Sequence, residues 1–221
     1  LRFIIKNIRE KIISFGGEFL FNNQMTDIKI VNNEIKSIQI SDGKWIDTNI
    51  LILAIGHSAR DTFEMIYNKH ILMESKPFAI GIRVQHLQKT INKSQYGIIF
   101  SKLPPASYKL TYTTKSNRGV YTFCMCPGGY VVNSSSENGG LAINGMSNYA
   151  RESKNANSAI IVTVSPNDYG INPLDGVKFQ RKLESKAFNI CNGKIPLQLY
   201  KDFIINRNSS KFGTIKPEIK G

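Results

Sequence analysis

The residues of this chain most able to do chemistry are three cysteines, three histidines and a scatter of arginines, and spacing narrows what they can do. Cys124 and Cys126 stand two apart in Phe123-Cys124-Met125-Cys126-Pro127-Gly128-Gly129. On a strand, where successive side chains alternate, both thiols are expected on one face. This is not the C-x-x-C spacing of dithiol enzymes, and a disulfide across one residue is strained. A metal site would need two further ligands, yet His57, His70 and His86 are dispersed, so no metal is expected. Two readings of the cysteines stay open: small buried side chains, or thiols facing an active cavity. Arg83 and Arg118 are candidates for holding an acidic substrate, against the plainer reading of exposed strand-end charges. Asn144, Ser147 and Asn157 offer polar groups in loops able to line the same cavity. Cys124, Cys126, Arg83 and Arg118 are thus the catalytic candidates, and no general base stands out.

A second constellation is Ala54-Ile55-Gly56-His57-Ser58-Ala59-Arg60-Asp61. It follows Ile50 to Ile55, a wholly apolar run of the kind a parallel strand shows when covered on both faces. Ser58 with Asp61 three residues on resembles a capping box, and Phe63, Ile66 and Tyr67 supply the buried side of a helix ending near Asn68. A strand, a glycine turn and a helix N-terminus therefore occur in succession, and in open α/β sheets that is where cofactors bind. Gly56 allows close backbone approach; His57 and Ser58 could touch a phosphate or ribose. The plainer reading makes Ser58 a helix cap and Arg60 a solvated surface charge.

Other elements must position these groups. Leu1, Ile4, Ile8, Ile12 and Phe15 form one apolar stripe of a helix over residues 1–15, ended by Gly16-Gly17. Glu18 to Phe21 reads as a short strand. Asp27 to Val31 and Glu34 to Ile40 read as a hairpin around Asn32-Asn33, followed by the turn Ser41-Asp42-Gly43 and a strand over Lys44 to Ile46. From Lys76 the texture turns β-rich. Strands are expected at Phe78–Val84, Lys109–Thr113, Gly119–Met125, Tyr130–Asn133, Leu141–Asn144 and Ala159–Val164, with a helix near Leu87–Tyr96. A helix then starts at the cap-like Asp175 and stops at Gly193, and Pro196 to Phe203 reads as another. Beyond Ile205 periodicity fades, with no closing element.

The chain has 221 residues and an apolar fraction of 41%, which supports one large or two modest folded domains and excludes wholesale disorder. No run approaches the ~20 apolar residues a membrane helix needs, so no membrane partner is expected. The lack of a signal peptide and of a disulfide framework points to a reducing cytoplasm, and the missing initiator Met to a start inside a longer protein. The net charge of +13 raises nucleic-acid binding. Residues 1–60 hold 8 Lys and Arg against 6 Asp and Glu, and the remainder 21 against 10, scattered singly without a basic helix face. That scatter argues against a nucleic-acid partner.

Five segments in order carry a family resemblance: Ala54 to Thr62, Phe123 to Gly129, Asn144-Gly145-Met146-Ser147, Ala156-Asn157-Ser158-Ala159 and Phe179-Gln180-Arg181. Together they resemble an uncharacterised family of bacterial FAD-dependent dehydrogenases, similar in layout to the glutathione-reductase-like flavoproteins. The resemblance runs from Arg9-Glu10 and Gly16-Gly17 to about Asp202. Relatives open with a strand and a G-x-G-x-x-G turn that grips the FAD pyrophosphate, and this chain contains no such turn. The resemblance implies an internal fragment, of mixed α/β and α+β class. Residues 1–72 would be part of a FAD-binding dinucleotide fold, a β-meander plus a parallel strand. Residues 73–221 would be an inserted, β-rich, substrate-side domain with C-terminal helices.

By the same resemblance, Ala54, Ile55, Gly56, His57 and Ser58 face the cofactor, and the Cys126-Pro127-Gly128-Gly129 turn lies beside the flavin. The full-length protein would use FAD to exchange a hydride with a small-molecule substrate or NAD(P)H, the fragment alone being inactive. The alternatives are a non-catalytic basic binding module and a flavin-dependent RNA-modifying relative of the same fold.

Overall fold

The computed structural model describes residues 1–220, and the chain divides into two compact units, Leu1–Leu72 and Met73–Gly221. Unit 1 opens with helix α1 (Arg2–Ser14). The helix ends as its glycines require: Gly16 takes φ +83°, its N–H reaches the Ile13 carbonyl, and the Gly17 N–H reaches that of Ile12. Those two bonds satisfy carbonyls that a helix end otherwise orphans. Strands β1 (Met25–Val31), β2 (Glu34–Ile40) and β3 (Trp45–Asp47) form an antiparallel meander. Asn32 and Asn33 both adopt positive φ at the β1–β2 turn, as a tight two-residue hairpin demands. Helix α2 (Arg60–Asn68) packs on β1, with Ile28, Ile40 and Ile66 buried and Lys69 paired to Asp27 at 2.6 Å.

Four expectations fail in this unit. Glu18 to Phe21 is not a strand; Phe19 and Phe21 instead stack on each other. Ile50 to Ile55 is not a strand either, and Ile50 and Ile52 are 74% and 84% exposed. An apolar run becomes a strand only when a neighbour takes up its backbone donors and acceptors, and no strand among the described residues pairs with it. Ser58 does not cap α2: the residue before the helix is Ala59, no side chain caps it, and the Asp61 carboxylate accepts the Thr62 N–H. Finally, Arg60 is 1% exposed rather than solvated.

Unit 2 contains two sheets. The larger has the order β4-β9-β6-β5, all antiparallel, from β4 (Phe78–Leu87), β9 (Asn155–Val164), β6 (Gly119–Cys126) and β5 (Thr111–Thr113). The smaller has the order β10-β7-β8, from β7 (Gly129–Asn133), β8 (Ile143–Ser147) and the short β10 (Ile219–Lys220). β10 pairs parallel to β7, a closing element absent from the sequence reading, and is the one parallel pairing among the described residues. Helices α3 (Gln88–Tyr96), α4 (Pro166–Tyr169), α5 (Asp175–Ile190) and α6 (Tyr200–Ile204) complete it. The molecule is therefore a mixed α and β chain dominated by antiparallel sheets. Where Asp175 reads as a cap, the residue before α5 is Leu174, and α4 carries the capping box, made by Ser165 and Asp168.

The β4–β9 register sorts unit 2 into faces. Directly opposed antiparallel residues share a face. Arg83↔Ala159, Gln85↔Asn157 and Leu87↔Asn155 therefore lie on one side, while Phe78↔Val164, Val84↔Ser158 and His86↔Ala156 lie on the other. On the second side Phe78, Tyr169 and Phe179 form an aromatic cluster with centroids 4.9–6.4 Å apart. On the first, Gln85 clamps the C-terminal segment, its Oε1 accepting the Glu218 N–H at 2.8 Å and its Nε2 donating to the Glu218 carbonyl at 3.0 Å.

Candidate functional site

The transfer from the larger sheet to the smaller happens at Cys126-Pro127-Gly128-Gly129, between β6 and β7. Gly128 has φ +49°, and an added Cβ would lie 1.8 Å from the Arg151 carbonyl oxygen. Only glycine fits such a position. The Gly128 N–H donates to the buried Gln88 Oε1 at 2.7 Å, and Gln88 Nε2 donates to Asn92 Oδ1 and the Ala106 carbonyl. Ser147 Oγ donates to the Pro127 carbonyl at 2.7 Å. Ser147 thus fixes the turn from outside.

Just before this turn β6 bulges. Phe123 pairs with Ala159 but Cys126 with Asn157, so three steps on β6 match two on β9, and Cys124 takes φ +47°. A bulge adds a residue and breaks strand alternation. The two thiols accordingly do not share one environment: Cys124 is exposed and Cys126 buried. Burial pushes the Cys126 thiol up; the neighbouring Cys124 adds to this, while Arg83 pulls the other way. Cys126 Sγ donates to the Cys124 carbonyl at 3.3 Å.

Arg83 is the centre of the cluster. From β4 its Nη1 donates to Asn157 Oδ1 at 2.6 Å and to the Cys124 carbonyl at 3.3 Å, and its Nη2 to Asn144 Oδ1 at 3.3 Å. Gly145 on β8 permits the packing: a Cβ there would meet Asn157 Oδ1 at 2.2 Å, Arg83 Nη1 at 2.3 Å and Cys126 Sγ at 2.8 Å. The fold thus brings together Arg83, Cys124, Cys126, Asn144 and Asn157, and the sequence reading lacked only Gly145 as their spacer. Arg118 is elsewhere. Its guanidinium grips Asp168 through two bonds, at 2.7 and 3.1 Å, and also donates to the Thr163 carbonyl. That grip, with the Ser165 N–H, holds the Asp168 carboxyl down to about 2.

On the opposite face of the β4–β9 pair, His86 Nε2 lies 2.8 Å from the Tyr108 hydroxyl. Burial lowers the pKa of His86 and raises that of Tyr108, in each case favouring the neutral form. Sequence reasoning missed this pair; 22 residues separate its members, and nothing local links them.

Residues 77–221, which contain all of these groups, match the model of a family described as FAD-dependent protein, C-terminal domain-like. The chain belongs to that family. It is also 49% identical over 223 residues to an uncharacterized protein of Clostridium beijerinckii, a match covering 98% of this chain and 42% of that protein. The chain therefore spans less than half the length of this relative. The family match stops short of unit 1, where the other candidate residues lie. There Gly56 has φ +69° with nothing within 4 Å of an added Cβ, and Ala54 to Ser58 are all exposed. Ser58 Oγ lies 3.4 Å from His57 Nε2. No helix among the described residues is long and apolar enough to cross a membrane.

Proposed function

We propose that the chain is part of a cytoplasmic FAD-dependent oxidoreductase, a dehydrogenase acting on a small-molecule substrate, with NAD(P)H as a second partner. The family match over residues 77–221 carries this reading. In it, residues 1–72 form part of the FAD-binding domain and residues 73–221 the inserted, substrate-side domain. The fit to FAD can be tested on Gly56. Its left-handed backbone is open on the side a Cβ would occupy, so backbone can approach a dinucleotide there. Ala54, Ile55 and Gly56 would hold the cofactor edge through main chain, with His57 and Ser58 as polar contacts. FAD when bound supplies hydride transfer, and the protein's share is to bind, orient and exclude water. Arg83, with Asn144 and Asn157, would orient the substrate, beside Cys126 and the exposed Cys124.

The test is the absorbance spectrum of the full-length protein, followed by anaerobic addition of NADH or NADPH. Flavin bands that bleach on addition are expected. A full-length protein that purifies without flavin and does not take up added FAD overturns the reading.

A further inference from the structure

We infer that Arg83, Asn144 and Asn157 form a subsite for the carboxylate of a small organic acid. The inference rests on the reading of unit 2 as the substrate-side domain and names the class of substrate that domain takes.

The first observation is a charge without a counter-charge. Arg118 pairs with Asp168, Arg181 with Glu137 and Arg207 with Asp202, each at 2.5–2.7 Å. Arg83 is half-buried, yet its three acceptors are two amide oxygens and one backbone carbonyl, all neutral. Removing a guanidinium from water without a carboxylate partner is costly, and a fold that does so leaves a place for an anion.

The second observation is independent of charge. Asn157 is 0% exposed; its Oδ1 is spent on Arg83, and its Nδ2 is enclosed with no hydrogen-bond partner. Buried amide donors are almost always satisfied, so a spare donor on the side chain that grips Arg83 marks a place where the described residues supply no acceptor.

The third is rigidity. Gly145 lets the β8 backbone close on Arg83 and Asn157, so the guanidinium is held before any ligand arrives. Preorganisation of this kind favours binding because less freedom is lost. Asn144, on the exposed side of Nη2, marks where a ligand enters. One cation and two amides suit a singly charged, planar carboxylate that a guanidinium fork can grip. Among the described residues no Lys or other Arg shares the acceptors that Arg83 grips.

The experiment uses the full-length protein and ligand-observed NMR with acetate, benzoate and succinate, the neutral succinamide, and inorganic phosphate. Binding of at least one carboxylate is expected, with no succinamide signal and phosphate weaker. Arg83→Gln should weaken carboxylate binding at least tenfold, Arg83→Lys less, and the exposed Asn144→Ala several-fold. Should Arg83→Gln fail to fold, Arg83→Lys and Asn144→Ala decide the matter. Three results overturn the proposal: no carboxylate binds, phosphate binds in preference, or binding survives the Arg83 and Asn144 substitutions while only thermal stability falls. Repeating the titration on flavin-free protein separates the two claims. Carboxylate binding through Arg83 in a protein that never takes FAD would sink the oxidoreductase reading alone, and a yellow protein deaf to carboxylates would sink the subsite alone.

Discussion

Units 1 and 2 use the same materials, isoleucine-rich strands punctuated by glycine and asparagine turns, yet they bury them to very different degrees. Every residue of α1 lacks burial, including Phe3, Ile4, Ile8 and Ile12 on or near its apolar stripe, and the run from Ile50 is also exposed. The core of unit 1 reduces to Ile28, Ile40 and Ile66 between α2 and the meander. Unit 2 buries Ala106, Tyr130, Val131, Leu141, Ala156 and Val164, and with them a polar layer of Gln88, Asn155, Asn157 and Ser158. An apolar stripe shows which face of an element gains by leaving water. It does not show that the covering surface lies in the same chain.

That contrast predicts its largest consequence in hydrogen exchange. In the isolated 221-residue chain, amides paired between β4, β9 and β6 should exchange only on global opening, slowed on the order of 10³-fold or more. Residues 52–55, exposed and outside every sheet, should exchange at nearly the free rate. Strong protection there would mean that the run finds a strand partner, and the contrast between the units would collapse.

Thiol labelling tests the polar side of the comparison. Cys124 should react first, and Cys126, buried and with its thiol pushed up, should lag well behind in a Cys124→Ser background. Equal rates would show that the bulge does not separate them. With FAD bound to the full-length protein, slower labelling of Cys124 would place it beside the cofactor.

What the sequence could and could not reveal follows the same division between local and distant causes. The α1 stop, the Asn32-Asn33 hairpin, the Phe78 strand and the Pro127-Gly128-Gly129 turn were legible because their causes lie within a few residues. The capping box at Ser165 has equally local causes, Pro166 and Asp168. The Cys124 bulge was not, since register is set by β9 and alternation within β6 cannot report it. Nor was the burial of Arg60, because residue type argues for exposure. In the candidate site, Arg83, the two cysteines, Asn144 and Asn157 were chosen by residue type. That they meet, and that Arg118 stands apart with Asp168, is decided by pairings over 41 to 74 residues.

Two glycines with left-handed backbone sharpen the contrast at the level of packing. Gly56→Ala meets open space and should cost only the conformational strain, about 1–2 kcal/mol. Gly128→Ala adds a collision with the Arg151 carbonyl, which overpacking data put at a further 1–3 kcal/mol or so. Thermal melts of the two variants measure this. Equal losses would show that the sheet-to-sheet turn relaxes freely and that unit 2 is no better packed than unit 1.

The smallest expected effect is on pH dependence, and it distinguishes the units by their titrating groups. His86 is half-buried in unit 2, and burial lowers its pKa below the ordinary 6.5. The unfolded chain therefore takes up a proton at a higher pH than the folded one, and folding stability rises with pH across that interval. The contribution is complete above about pH 6.5 and is lost as pH falls from there toward the folded value. The hydrogen bond has the same sign: a neutral ring can accept the Tyr108 hydroxyl at Nε2, whereas a protonated ring cannot. In unit 1 the Asp27 carboxyl is lowered, chiefly by its bond to Lys69, so its contribution holds above 3.8 and disappears only below that. Asp168 in unit 2 behaves likewise between 3.8 and about 2. Trp45, the single tryptophan, stands in β3 and reports on unit 1, while protection of the β4–β9 amides reports on unit 2. Lowering the pH from 7.5 to 5 should reduce β4–β9 protection, and His86→Gln should flatten that decline. A decline that persists unchanged in His86→Gln would assign the acid sensitivity to another group and leave the His86–Tyr108 pair without a thermodynamic role.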